Sequence, residues 1–232
     1  MLHDGIDSKL IAPNPNVNFQ VNATMSLTRA DEVITFANRN LEPYRGYHIF
    51  MRSLPRLLKE RPNAKIVIVG GDGVSYGAPP SGPRDDKGAT PKGWKQIFLD
   101  EVKDRVDLQR IHFLGNVPYP QFVSLLQIST VHAYLTYPFV LSWSLLEAMS
   151  AGCAIVASNT APVREAITHG ETGLLVDFLD ASALAEQVIA LCQDPTRRAQ
   201  LGAAARAFAV AHYDLQGKCL PEQMQWVASL RD

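Results

Sequence analysis

Two arginines flanking a proline-containing turn are the first residues here whose types and spacing suggest chemistry. They lie in Ala37-Asn38-Arg39-Asn40-Leu41-Glu42-Pro43-Tyr44-Arg45-Gly46. A guanidinium stays charged and offers a planar fork of donors, so Arg39 and Arg45 together suit a diphosphate. Gly46 lets the backbone turn and approach a neighbour closely. The same pair also fits two solvated surface side chains, and the loop taken alone favours that plainer reading. A second stretch runs from Tyr137 to Gly152, where a strand ends and a helix begins. Leu141, Ser142 and Trp143 stand at the helix opening, where unpaired backbone N–H groups make an anion site. Glu147, one turn in, has oxygens that can accept hydrogen bonds from a ribose. Ser144-x-x-Glu147 equally has the spacing of a capping box, in which the glutamate serves only the helix end. Spacing alone leans towards the cap.

Other polar groups suggest less. Gly70-Gly71-Asp72-Gly73 offers amides to a phosphate, but the dinucleotide fingerprint needs a helix opening at the third glycine, and Pro79-Pro80 follow. The histidines are scattered, with no second ligand at metal spacing. His132 lies inside an apolar strand and reads as a core residue. Cys153, Cys192 and Cys219 are widely spaced and read as buried free thiols in a reducing compartment. There is no Gly-x-Ser-x-Gly elbow and no phosphate-loop signature. No catalytic residue and no metal ligand is assigned.

The elements that must position these groups alternate along the chain. Short apolar runs at 32–36, 65–69, 110–114, 131–135, 154–157 and 174–176 read as strands. Helical spacing occupies 46–60, 92–106, 121–127, 144–150, 181–192, 195–211 and 215–230. Continuous rather than alternating apolarity implies strands buried on both faces. The expected class is α/β: a Rossmann-like, doubly wound parallel sheet of about six strands. Ligands of such sheets bind outside the carboxyl ends of the strands, which directs attention to loops 37–46, 70–93, 115–120, 136–143 and 158–163. Loop 70–93 is longer than the ~12–15 residues usual for a structureless connection, so it is either a functional lid or a plain insertion. Residues 1–30, with Ala12-Pro13-Asn14-Pro15, read as an irregular linker and extended arm, and 31–232 as the folded domain.

The chain has 232 residues, 47% of them hydrophobic, and a formal net charge of −1. This is enough to bury a sizeable core and gives no basic field for nucleic acid. No apolar run approaches the ~20 residues of a membrane span, and the N-terminus lacks the pattern of a signal peptide.

Taken together, these stretches resemble the C-terminal domain of group 1 (family 4) glycosyltransferases, one half of a GT-B fold. The most specific part is Leu146-Glu147-Ala148-Met149-Ser150-Ala151-Gly152-Cys153-Ala154-Ile155-Val156-Ala157-Ser158. Pro162-Val163-Arg164-Glu165 with His169-Gly170-Glu171-Thr172-Gly173-Leu174-Leu175-Val176 resembles the family's following motif, and His3-Asp4-Gly5-Ile6-Asp7 the segment leading into the domain. The resemblance implies retaining transfer of a sugar from a UDP-sugar or GDP-sugar, without a cofactor and without a metal, in polysaccharide or glycolipid synthesis. Arg39 and Arg45 would contact the diphosphate and Glu147 the donor ribose. It further implies an N-terminal acceptor-binding domain not encoded here, so the chain is expected to be an inactive fragment. A full-length enzyme would be cytoplasmic, associating peripherally with the inner face of the membrane.

The sequence departs from the family at position 139. The first glutamate of the family's paired-glutamate signature, which touches the donor sugar, is replaced by Phe139, followed by Val140-Leu141-Ser142. A phenyl ring cannot supply those hydrogen bonds, which leaves Ser142 as a sugar-facing polar group beside Phe139. Competing readings are a non-catalytic nucleotide-sugar-binding module, and a fragment of a GT-B sugar epimerase or phosphorylase.

Overall fold

Runs that are apolar on both faces become the central layer. In the computed structural model, which describes residues 2–81 and 92–230, six strands form one parallel sheet. The elements in chain order are β1 (Asn18–Asn22), β2 (Met25–Thr28), β3 (Val33–Asn40), α1 (Tyr47–Glu60), β4 (Lys65–Gly71), α2 (Trp94–Val102), β5 (Ile111–Gly115), α3 (Tyr119–Ile128) and β6 (Val131–Tyr134). They continue with α4 (Trp143–Ser150), β7 (Ile155–Ser158), α5 (Ala161–Arg164), β8 (Leu174–Val176), α6 (Ala181–Gln193), α7 (Pro195–Tyr213) and α8 (Leu220–Ser229). The sheet order is β5-β4-β3-β6-β7-β8. The chain therefore reverses its direction of winding between β3 and β6, and their carboxyl ends flank the crevice where ligands of such sheets bind.

Each face of the sheet is covered by apolar helix stripes. Ile34, Phe36, Ile66 and Ile68 pack with Phe50, Leu54 and Leu57 of α1 and Leu184 and Val188 of α6. On the other side Ile155 and Ala157 pack with Leu145, Ala148 and Met149 of α4 and Ala205 and Ala209 of α7. Helix α7 approaches α4 so closely that a Cβ on Gly202 would collide with the Gly152 carbonyl oxygen. Asp180 caps α6 by accepting from the Ala183 N–H, and Asp194 caps α7 by accepting from the Arg197 N–H, each at 2.8 Å.

Three expectations change. Residues 1–30 are not irregular throughout, because β1 and β2 pair antiparallel with Phe19 opposite Leu27. Phe19, Leu27 and Val17 are buried against Val33, Val67 and Ile128, so this hairpin is part of the core. The arm before it is also anchored: the Ile6 N–H donates to the Tyr213 carbonyl and the Leu215 N–H to the Ile6 carbonyl, each at 2.8 Å. The helix expected over 92–106 ends at Val102 and tightens into a 3-10 turn at Lys103–Arg105. The helix expected over 215–230 begins as a π-helical turn, Leu215–Cys219, before α8. Residues 82–91 of the long loop lie outside the described residues. Among the described residues no helix is long and apolar enough to cross a membrane.

Candidate functional site

Strand β3 delivers Asn38 and Arg39 to the carboxyl edge, and a 3-10 turn, Pro43–Arg45, carries the chain into α1. Gly46 closes that turn with φ 71°, in the left-handed region. A Cβ there would fall inside the van der Waals shell of the Leu135 side chain. The glycine is thus required by packing on the end of β6, not by approach to a ligand, and it fixes the position of Arg45. Arg45 is 9% exposed. Its Nη1 donates to Thr136 Oγ1 at 3.2 Å, and its guanidinium lies 4.8 Å from the Tyr76 ring centre and 5.8 Å from that of Phe139. Arg39 is exposed but lines the same cavity. The two arginines converge, and Arg45 is the preorganised one.

Helix α4 opens with Ser142 at its N-cap and no side-chain cap; the Ser142 and Ser144 hydroxyls instead share a hydrogen bond of 2.9 Å. The capping-box alternative for Glu147 therefore fails: Ser144 is already inside the first turn, and Glu147 lies too far along the helix to reach back. Its carboxylate accepts from the Tyr119 hydroxyl at 2.7 Å. Glu147 is 8% exposed, and burial raises its pKa while the Tyr119 hydrogen bond acts the other way. A carboxylate held by one hydrogen bond and lining a cavity, beside an uncapped helix N-terminus, suits a sugar hydroxyl next to an anion.

The glycine-rich segment after β4 is not an open phosphate cradle. The Gly73 N–H donates to Asn40 Oδ1 at 3.2 Å. The N–H groups of Ser75, Tyr76 and Gly77 donate to the carboxylate of the fully buried Glu42, at 3.1, 3.4 and 3.4 Å respectively. An internal anion already fills that amide nest, and what the segment contributes instead is Tyr76, set over Arg45.

These parts enclose a cavity of about 500 Å³ at the switch point. Its lining includes Arg39, Arg45, Tyr76, Tyr119, Ser142 and Glu147, with Trp143 60% exposed at the mouth. Asn116, Val117 and Phe122, from the loop after β5 and from α3, line the end near Tyr119. Two expected residues lie outside this lining. Leu141 is half-buried and lines a separate hollow with His3 and Asp4, so its side chain does not face the cavity. Phe139 stands on the rim against Tyr76 rather than in the lining. Tyr76, Tyr119 and Glu42 were missed by sequence reasoning. An isolated tyrosine or glutamate carries no spacing signal, and each acts through a partner more than 25 residues away.

His132 and the cysteines belong to the core. His132 Nδ1 and the Thr35 hydroxyl share a hydrogen bond of 2.8 Å, and complete burial pushes the imidazole down to about 4, so it is neutral. Cys153, Cys192 and Cys219 are free and buried. Among the described residues no group of three His, Cys, Asp or Glu side chains stands close enough to hold a metal ion.

Comparison with known proteins bears on the family and the fold. The family model described as "Glycosyl transferases group 1" matches residues 26–208. The D-inositol 3-phosphate glycosyltransferase of Corynebacterium efficiens is 28% identical over 173 residues, covering 74% of this chain and 37% of that protein. Among solved structures, Anabaena HepE in complex with UDP-glucose superposes with a TM-score of 0.75 at 18% identity, covering 98% of this chain and 57% of that one. The C-terminal domain of the group 1 glycosyltransferase LpcC from Francisella tularensis gives 0.71 at 19% identity, covering 91% of this chain and all of that one. The chain thus spans well under two thirds of the two longer relatives.

Proposed function

Since this chain belongs to the group 1 glycosyltransferases, we propose that it is the donor-binding half of a retaining enzyme, holding a nucleoside diphosphate sugar in the cavity between β3 and β6. The observation that carries this reading is the convergence of Arg39, Arg45, the uncapped start of α4 and Glu147 on one cavity. The arginines and the helix N-terminus meet the diphosphate, and Glu147, oriented by Tyr119, accepts from the ribose. Two guanidiniums and a helix dipole supply positive charge enough that we assign the diphosphate no metal. The acceptor would be held by a second domain facing this one, since transfer depends on fixing both reactants in one geometry. The length of the relatives, and the full match to a C-terminal domain, support that division. A glycolipid product is supported by a 26% identical relative, the GDP-mannose-dependent monoacylated alpha-(1-6)-phosphatidylinositol monomannoside mannosyltransferase of Corynebacterium glutamicum, and our proposal puts the protein at the cytoplasmic face of the membrane. UDP-glucose in HepE supports a UDP-sugar, with a GDP-sugar as the other donor to test. A non-catalytic nucleotide-sugar-binding module is the second reading, favoured by one observation: no carboxylate stands at Phe139.

Calorimetric titration with UDP, GDP and ADP tests the site. Arg45→Ala should weaken binding of the accepted diphosphate by ~1.5–3 kcal/mol, as expected for hydrogen bonds to charged groups. Arg39→Ala should cost less, because its exposed side chain must be ordered on binding. The corresponding nucleoside should lose little in either variant. Equal losses for nucleoside and diphosphate, or no nucleotide binding at all, would remove the assignment.

A further inference from the structure

Glu42 precedes and Arg45 ends the same 3-10 turn, and both are buried, at 0% and 9% exposure. Opposite charges so placed ordinarily pair, because a buried charge without a partner is costly. These two do not. Among the described residues Arg45 takes part in no ion pair. The Glu42 side chain does not cap its own turn either, and its carboxylate accepts from the N–H groups of Ser75, Tyr76 and Gly77 instead. Backbone amides satisfy the acid, and the guanidinium keeps its charge for another partner.

The tether also decides what covers Arg45. Asn40 holds the near end of the segment, with Oδ1 accepting from the Gly73 N–H at 3.2 Å and Nδ2 donating to Ser75 Oγ at 2.8 Å. At the far end a Cβ on Gly77 would stand 2.6 Å from the Tyr44 ring, so the backbone runs hard against that tyrosine. Between these points Tyr76 is carried to Arg45, whose guanidinium lies 4.8 Å from the ring centre and is held there by cation–π attraction. An arginine ordered before its ligand arrives avoids the entropy cost that a mobile one meets on binding. Resting on the nucleotide-sugar reading above, we propose that Glu42 is a positioning residue for the diphosphate. It tethers residues 75–77 so that Tyr76 holds Arg45 in place, and by bonding to amides it leaves the guanidinium unpaired for an incoming phosphate. Glu42 is not part of the cavity lining and acts through Tyr76, which is.

The test is calorimetry on the full chain with UDP and uridine, and with GDP and guanosine. In the series whose diphosphate binds, Glu42→Gln should weaken the diphosphate roughly 2- to 10-fold, the range for ordering one long side chain on binding, and leave the nucleoside unchanged. A merely structural role would weaken both alike. Tyr76→Ala should cost a similar factor, and in that background Glu42→Gln should add nothing, because its route to Arg45 is already cut. Asn40→Ala, which frees the other end of the segment, should repeat the selective loss and replaces Glu42→Gln where melting temperatures show that variant unfolded. Unchanged diphosphate affinity in Glu42→Gln and Asn40→Ala, equal losses for nucleoside and diphosphate, or losses from Glu42→Gln and Tyr76→Ala that add in full would each overturn the positioning role alone. Failure of both UDP and GDP to bind the unaltered chain would take down the nucleotide reading and the positioning role with it.

Discussion

Removal of one hydroxyl, in Tyr119→Phe, should lower stability in a manner that depends on pH. The hydroxyl donates at 2.7 Å to a carboxylate, Glu147, that is 8% exposed. Burial raises the pKa of Glu147 and the tyrosine restrains that rise. A carboxyl whose folded pKa exceeds its unfolded value binds its proton more tightly in the native state. It therefore lowers stability above that folded pKa, and the deficit is relieved as pH falls through it. Without the tyrosine the folded pKa rises further and the deficit at neutral pH grows. A hydrogen bond to a charged group is worth ~1.5–3 kcal/mol. Tyr119 is 47% exposed, so water replaces part of what is lost, and about 1–2 kcal/mol is expected at pH 8.

At acid pH, with Glu147 protonated in both proteins, only a neutral hydrogen bond is lost, about 0.5–1 kcal/mol. For a chain of this size each kcal/mol moves the melting point by about 2–4 °C. Scanning calorimetry of wild type and Tyr119→Phe from pH 4 to pH 8 should show the gap widening as pH rises. Glu147→Gln removes the charge, and in that background the tyrosine substitution should cost the same at every pH. A gap that is constant in the wild-type background, or one that narrows as pH rises, would refute the account of this pair.

Two further substitutions test the scaffold under the site. Gly46→Ala forces a left-handed φ of 71° on a residue with a Cβ and drives that Cβ into Leu135; the backbone alone costs ~1–2 kcal/mol and the overlap adds a similar amount, so urea denaturation should show a loss above ~2 kcal/mol, and a loss below ~1 kcal/mol would refute the packing argument. Glu42→Gln replaces an anion that collects three loop N–H groups by an amide with one acceptor oxygen, so amide exchange at Ser75, Tyr76 and Gly77 should accelerate, and unchanged exchange would show that the carboxylate is not the tether.

The central layer was legible because its signal is local. Val131–Tyr134 and Ile155–Ser158 are buried at every position, as continuous apolar runs imply, and Leu174–Val176 falls at the expected residues. The hairpin was missed although its pattern is present: Val17, Phe19 and Val21 alternate with Asn18 and Gln20, the period of a half-buried strand. Pro13 and Pro15 break structure only before it. The Asn22 side chain makes the turn by accepting from the N–H groups of Thr24 and Met25 at 2.9 and 3.0 Å. The breaker residues mask the alternation behind them.

The site was legible in its charges and not in its supports. Glu147 shows why. Reading Ser144-x-x-Glu147 as a cap needs Ser144 at the N-cap, whereas the helix starts at Trp143 with Ser142 before it. That shift of two residues moves the glutamate beyond the first three helical positions, where a side chain can return to the opening turn. Sequence spacing is unchanged by such a shift, and helix ends are the least sharply encoded part of a helix. What settles the orientation of Glu147 is a partner 28 residues away, Tyr119, carried by another helix. The same holds for Arg45, whose placement depends on Thr136 and Tyr76 from two different loops. A charged residue can advertise its chemistry through its type, but the neighbours that decide where it points are set by the topology of the sheet. That is why Arg39 and Arg45, equal in the sequence, differ in the fold: one is exposed to solvent, and the other is clamped by groups that only the completed fold brings together.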